Sequence, residues 1–176
     1  MANVCSYTLK VVGKYQDVCN FYTCLIGVED YEENQMSTRF YDAECYRVEE
    51  QGSNTAFYIL GSCAWSVQSS FIDYCESGEI SVLSFSKKHH LSLEFYSEEC
   101  GMEFAEHYII RNGLITTKEV VKYREVSIED IEEDPETFFN DEFVKENGIT
   151  KENYLEKFDG EDWLYLGGFV GVDFTI

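Results

Sequence analysis

The chain has 176 residues, 44% hydrophobic and 16% aromatic, with 34 acidic side chains against 13 basic ones and a net charge of −21. That apolar and aromatic content excludes a disordered polymer and suits one domain with a sizeable core, while the charge disfavours direct contact with nucleic-acid phosphates, which need a basic surface. No apolar run approaches the roughly 18–20 residues of a membrane span and no basic-then-apolar leader opens the chain, so a soluble protein of a reducing cytoplasm is expected.

Residues 4–12 (VCSYTLKVV) read as a first strand, ended by Gly13. From 15 to 26, Val18, Phe21, Tyr22, Leu25 and Ile26 form the stripe of an amphipathic helix, with Gly27 where a C-cap glycine belongs. Residues 29–34 are polar and read as a loop, and 39–50 suit either period. A turn at 51–54 leads into a short apolar strand over 55–60, broken by Gly61-Ser62. Val67, Phe71 and Tyr74 share one helical face, Ser77-Gly78 punctuates, and 80–90 reads as a second helix carrying Lys87-Lys88-His89-His90 at its end, where cations favour the helix dipole.

The organising stretch is 91–113, LSLEFYSEECGMEFAEHYIIRNG. Leu91, Leu93 and Phe95 alternate with Ser92, Glu94 and Tyr96, the pattern of a half-buried strand. An acidic turn over 97–101 precedes a return strand with Phe104, Tyr108 and Ile110 on one face, interrupted by Glu106. Asn112-Gly113 supplies a two-residue hairpin turn, and Ile115 to Tyr123 continues the meander. In a regular strand Glu103 and His107 share a face, which makes them a candidate metal or acid–base pair; an exposed acidic hairpin with one partnered histidine is the competing reading. Cys100 near His107 lacks an orienting third group and an oxyanion hole.

Between residues 125 and 162 stand 15 acidic and 3 basic side chains. Ser127-Ile128-Glu129-Asp130 has the form of a helix start, and short helices follow, interrupted by Pro135 and Asn147-Gly148. Phe138, Phe139, Phe143, Tyr154, Leu155 and Phe158 are placed to pin this acidic segment to the domain. The charges expected to face a basic partner are Glu129, Asp130, Glu132, Glu133, Asp134, Glu136, Asp141 and Glu142. A last strand with a glycine interruption is expected over 163–176, whose Gly167-Gly168 and Gly171 lack the strand–loop–helix context of a phosphate site. The seven cysteines are odd in number and contain no CxxC pair, so buried thiols acting as small hydrophobes are expected, with no metal or cofactor.

The opening MANVCSYTLKVVG resembles the start of YubB/Api92-type ferredoxin-like proteins, with Val4 where that group usually has tryptophan, and FYSEECGMEFAEHYIIRNG and GGFVGVDF are similar to its relatives in phages and mobile elements. The resemblance implies an α+β fold, a ferredoxin-like antiparallel sheet with helices packed on one face, here one domain with an acidic helical insertion before the last strand. It also implies a mobile-element accessory protein. Together with the charge, this gives the leading expectation of a non-enzymatic, anti-CRISPR-like inhibitor. Such a protein occupies a basic site on a host nucleic-acid-binding defence protein, for example a CRISPR effector. The alternatives are an accessory interaction module whose charge only keeps it soluble, and a metal-dependent hydrolase built on Glu103 and His107.

Overall fold

A computed structural model describes residues 3–27, 40–72 and 80–176. The expectations for 29–34, Arg39, Tyr74, Cys75 and Ser77-Gly78 lie outside them. Chain order runs β1 (Val4–Gly13), α1 (Tyr15–Leu25), β2 (Phe40–Gln51), β3 (Asn54–Ala64), α2 (Val82–His89), β4 (Ser92–Glu99), β5 (Phe104–Arg111) and β6 (Leu114–Ser127). Four short helices follow, α3 (Ile128–Glu133), α4 (Pro135–Asn140), α5 (Glu142–Glu146) and α6 (Tyr154–Phe158), before β7 (Trp163–Gly167). The strands form one antiparallel seven-stranded sheet in the order β2-β3-β1-β4-β5-β6-β7. The α+β class is as expected, and the sheet is larger than a four-stranded ferredoxin-like one.

The alternation of β1 decides which face is covered. Tyr7, Leu9 and Val11 join Ile59, Leu93, Phe95 and Tyr108 in one core, onto which α1 lays Val18, Phe21 and Leu25 and α2 lays Val82 and Phe85. Each large side chain buried this way contributes about 1.5–3 kcal/mol by area transfer. Ser81 caps α2 by accepting the amide of Ser84 at 3.1 Å, and His90 closes it in the left-handed region with φ 53°. His89 ties the two helices together through Asp17, Nδ1 to Oδ1 2.9 Å, and stacks on Phe85.

The hairpin at Asn112-Gly113 is built as expected, with φ 49° and 77° at its two turn residues. A side chain at Gly113 would meet the Leu83 carbonyl oxygen and Lys87 Cβ at 2.6 Å, because the turn sits against α2. Gly61 does not break β3, which runs on to Ala64. Tyr7 instead fills the space a Cβ there would need, its hydroxyl lying 2.5 Å from that point. The ambiguous segment after 39 is β2, an edge strand whose register shifts twice; bulges of this kind protect sheet edges. Only five residues of the expected final strand pair with β6 (β7), and the remainder leaves the sheet.

A second, separate core lies beyond the main one. Val126 and Leu166 of the β6–β7 hairpin meet Ile131, Val144, Ile149 and Phe158 from the helical segment, flanked by Phe138, Phe139, Phe143 and Tyr154. The five expected aromatic anchors are therefore in place, and of the six expected anchors only Leu155 is exposed. Among the described residues no helix is long and apolar enough to cross a membrane.

Candidate functional site: an acidic surface and a buried carboxylate

The acidic segment is ordered by its own acids. Ser127 and Asp130 form a reciprocal capping box at α3, Ser127 Oγ accepting the Asp130 amide at 3.0 Å and Asp130 Oδ2 accepting the Ser127 amide at 3.1 Å. Pro135 opens α4 rather than interrupting a helix, and Asp134 accepts the Thr137 amide at 3.2 Å. Asp141 does the same for Val144 at 3.0 Å at the head of α5. These bonds have an electrostatic consequence. The Ser127 donors hold the Asp130 carboxyl below its usual range. The Val144 amide and, behind it, Arg124 do so for Asp141.

The eight expected partner-facing carboxylates thus divide by role. Asp130, Asp134 and Asp141 shape the helices, and Asp141 is half-buried with Arg124 Nη1 at 3.5 Å. Glu129, Glu132, Glu133, Glu136 and Glu142 are exposed and make no ion pair among the described residues. Their backbones stand on α3, α4 and α5, which the second core fixes to the sheet. The segment is a charged surface on a packed scaffold.

Glu103 and His107 are not brought together. Glu103 precedes β5 in the left-handed region, with φ 56°, and its carboxylate takes Arg124 Nη2 at 3.2 Å. His107 lies on the sheet face away from α1 and α2, where cross-strand neighbours form rows. One row reads Arg47–Tyr58–Lys10–Glu94–Ile109–Thr117 and the next Glu44–Leu60–Thr8–Tyr96–His107–Glu119. Across these rows His107 Nε2 bonds Glu94 Oε1 at 2.9 Å, its ring stacks on Tyr96 with centroids 4.2 Å apart, and Glu119 approaches Nδ1 at 3.7 Å.

Glu94 was expected on an exposed face, yet its relative exposure is 0%. The residues that cover it come from the end of the chain. Phe174 packs on Tyr96 and Tyr58, Thr175 and Ile176 donate their amides to Glu94 Oε2 at 2.7 and 3.0 Å, and the buried Lys10 ammonium donates to the Ile176 main-chain oxygen. Strand alternation carries no trace of a cover that arrives eighty residues later. Glu106 was partly legible, since it interrupts an apolar face. It is buried there, and burial pushes its carboxyl up while bonds from Tyr108 and Ser97 pull it back.

No disulfide joins any two of the six described cysteines; Cys5 and Cys63 are buried cross-strand neighbours and the other four half-buried. No group of three or more metal-ligating side chains gathers among the described residues. No protein-family model matches the chain, and neither a curated protein nor a solved structure matches it.

Proposed function

We propose that this domain is a non-enzymatic binding protein whose acidic helical segment occupies the basic nucleic-acid site of another protein. The observation that carries the reading is the placement of Glu129, Glu132, Glu133, Glu136 and Glu142. They are exposed and unpaired among the described residues, on helices anchored by a core of their own. Fixed carboxylates lose little conformational freedom on binding, and a groove built for duplex DNA expects about one charge per 1.7 Å of axis. The other half of the reading concerns origin. The order β2-β3-β1-β4 with α1 and α2 on one face has the βαββαβ arrangement of ferredoxin-like folds, extended by β5, β6 and β7. This supports the resemblance to mobile-element proteins of that type, and with it a host defence protein such as a CRISPR effector as the partner.

The test is affinity capture from a lysate of host cells, eluted first with salt and then with duplex DNA. Retention of a nucleic-acid-binding protein that DNA displaces, with retention lost when the five glutamates are replaced by glutamine, supports competitive occupation. A partner held equally well by the five-glutamine variant, or indifferent to salt and DNA, would exclude it.

A further inference from the structure

The chain after β7 behaves like a bound peptide. It turns at Gly167-Gly168, both with φ 73°, and crosses the sheet face opposite α1 and α2. Phe169 meets the edges of Tyr96 and His107 with centroids 5.5 and 5.8 Å apart, and Phe174 meets Tyr96 and Tyr58, both at 5.7 Å. Between these anchors Val170, Gly171, Val172 and Asp173 are all exposed, Val170 completely. After the second anchor, polar groups of the sheet read the backbone itself. Glu94 accepts the Thr175 and Ile176 amides and the Thr175 hydroxyl, the last at 3.2 Å, while Lys10 donates to the Ile176 main-chain oxygen.

None of these bonds belongs to the sheet ladder, and none depends on the segment being joined to β7. The buried Lys10 and Glu94 side chains are neighbours in register, so the sheet itself sets the spacing between a donor and an acceptor for the main-chain oxygen and amide of one residue, Ile176. Two adjoining grooves, which share Ser6 and Glu98, border the segment. One groove of about 420 Å³ runs past Ser6, Thr8, Ser62 and Val172, and another of about 570 Å³ past Glu98, Tyr123, Tyr165 and Phe169.

We propose that this face is a recognition site for an extended peptide from another chain, and that residues 169–176 are its resident, displaceable occupant. The tail shows what the site takes. The ligand is an extended segment with two aromatic side chains five positions apart, followed by a hydroxyl residue and an aliphatic one. Its backbone is held by Glu94 and Lys10, and its rings by Tyr96, Tyr58 and His107. The site is independent of the acidic helices and of the function assigned to them. A tethered tail competes at a high effective concentration, so an outside segment binds well only when the tail's own anchors are weakened.

The probe is a fluorescent peptide of sequence GFVGVDFTI, titrated against the full chain by anisotropy. The Phe169→Ala/Phe174→Ala protein should bind it at least tenfold more tightly than the unaltered protein. Adding Glu94→Gln to that double variant should weaken binding at least tenfold. A double variant that keeps its circular dichroism spectrum and fails to bind the peptide would overturn the proposal. So would one that unfolds, because the sheet would then need the tail to stand. Hydrogen exchange on the unaltered protein gives an independent reading. The Thr175 and Ile176 amides should exchange at least tenfold faster than those of Leu9 and Phe95, through local opening. Exchange at the rate of the sheet core would make the tail an integral element and refute the idea.

Discussion

Replacing Phe158 by alanine tests whether the acidic helices stand on a core of their own. Phe158 is 2% exposed, at the end of α6, and packs with Val126, Ile131, Val144, Ile149 and Leu166, apart from the main core. Truncating a buried phenylalanine costs about 3–5 kcal/mol, and a small cluster bordered by solvent can partly collapse, so about 3 kcal/mol is expected. A segment of this size exposes little surface on unfolding, with a urea slope near 1 kcal/mol per molar, so its midpoint falls by about 3 M or the segment is unfolded in water. The chain has two tryptophans, and they report on different regions. Trp163 pairs with Ser127 beneath α3, whereas Trp65 follows β3 in the main sheet. In a Trp65→Phe background, fluorescence follows the acidic segment while hydrogen exchange at the buried Leu9 and Phe95 amides, measured along the same urea series, follows the sheet. Phe158→Ala should move the fluorescence transition and leave the sheet transition in place. A single transition, shifted equally by both probes, would show that the two cores melt as one and refute the reasoning.

Glu106 makes a pH prediction. Its carboxyl is raised by burial, so the folded protein holds the proton more tightly than the unfolded chain; its stabilising effect is complete below the ordinary carboxylate value of about 4.3 and is lost as pH rises through the folded value. Glu106→Gln should therefore gain stability relative to the unaltered protein as pH rises above the ordinary carboxylate value, measured in urea melts, and a pH-independent difference would contradict this. Salt makes another. Because the exposed glutamates of α3, α4 and α5 make no ion pair among the described residues, raising sodium chloride from about 0.05 to 0.5 M should raise the midpoint of the Trp163 transition more than that of the sheet; equal shifts would mean that repulsion is not concentrated there.

Local patterns carried most of the fold. The period of α1, the alternation of Leu91, Leu93 and Phe95, and the Asn112-Gly113 turn all act over a few residues, and each element forms as they direct. The expectations that failed needed information from far along the chain. Gly61 looks like a strand breaker until Tyr7, its cross-strand neighbour, is known to fill the missing Cβ position. Glu103 and His107 look like a pair until a left-handed residue before β5 turns Glu103 toward Arg124. Glu94 looks exposed until residues 174–176 settle over it. The acidic surface was legible because its aromatic anchors and its carboxylates lie in the same short segment. The sheet face under residues 169–176 was not, because Lys10, Tyr58, Glu94, Tyr96 and His107 are spread over four strands and the segment that covers them comes far later in the chain.

The charge is also more segregated than composition suggests. Arg47 and Lys10 lie over the Tyr58 ring, at 4.7 and 5.4 Å, and Lys122 and Arg124 over Phe143, at 5.2 and 5.6 Å. Within the acidic segment Lys145 bonds the Asn140 carbonyl oxygen at 3.0 Å and Lys151 sits over Phe139 at 5.9 Å. Cations that stand within reach of the glutamates are thus directed to rings, to a helix end or, for Arg124, to Glu103 and Asp141. Solubility alone is served by interspersed charges of both signs. A surface whose carboxylates are held apart from its own cations instead leaves its Coulomb energy unsatisfied in the free protein. A partner that supplied the missing positive charge would recover that energy, and this favours the proposed occupation of a basic site over a role in solubility alone.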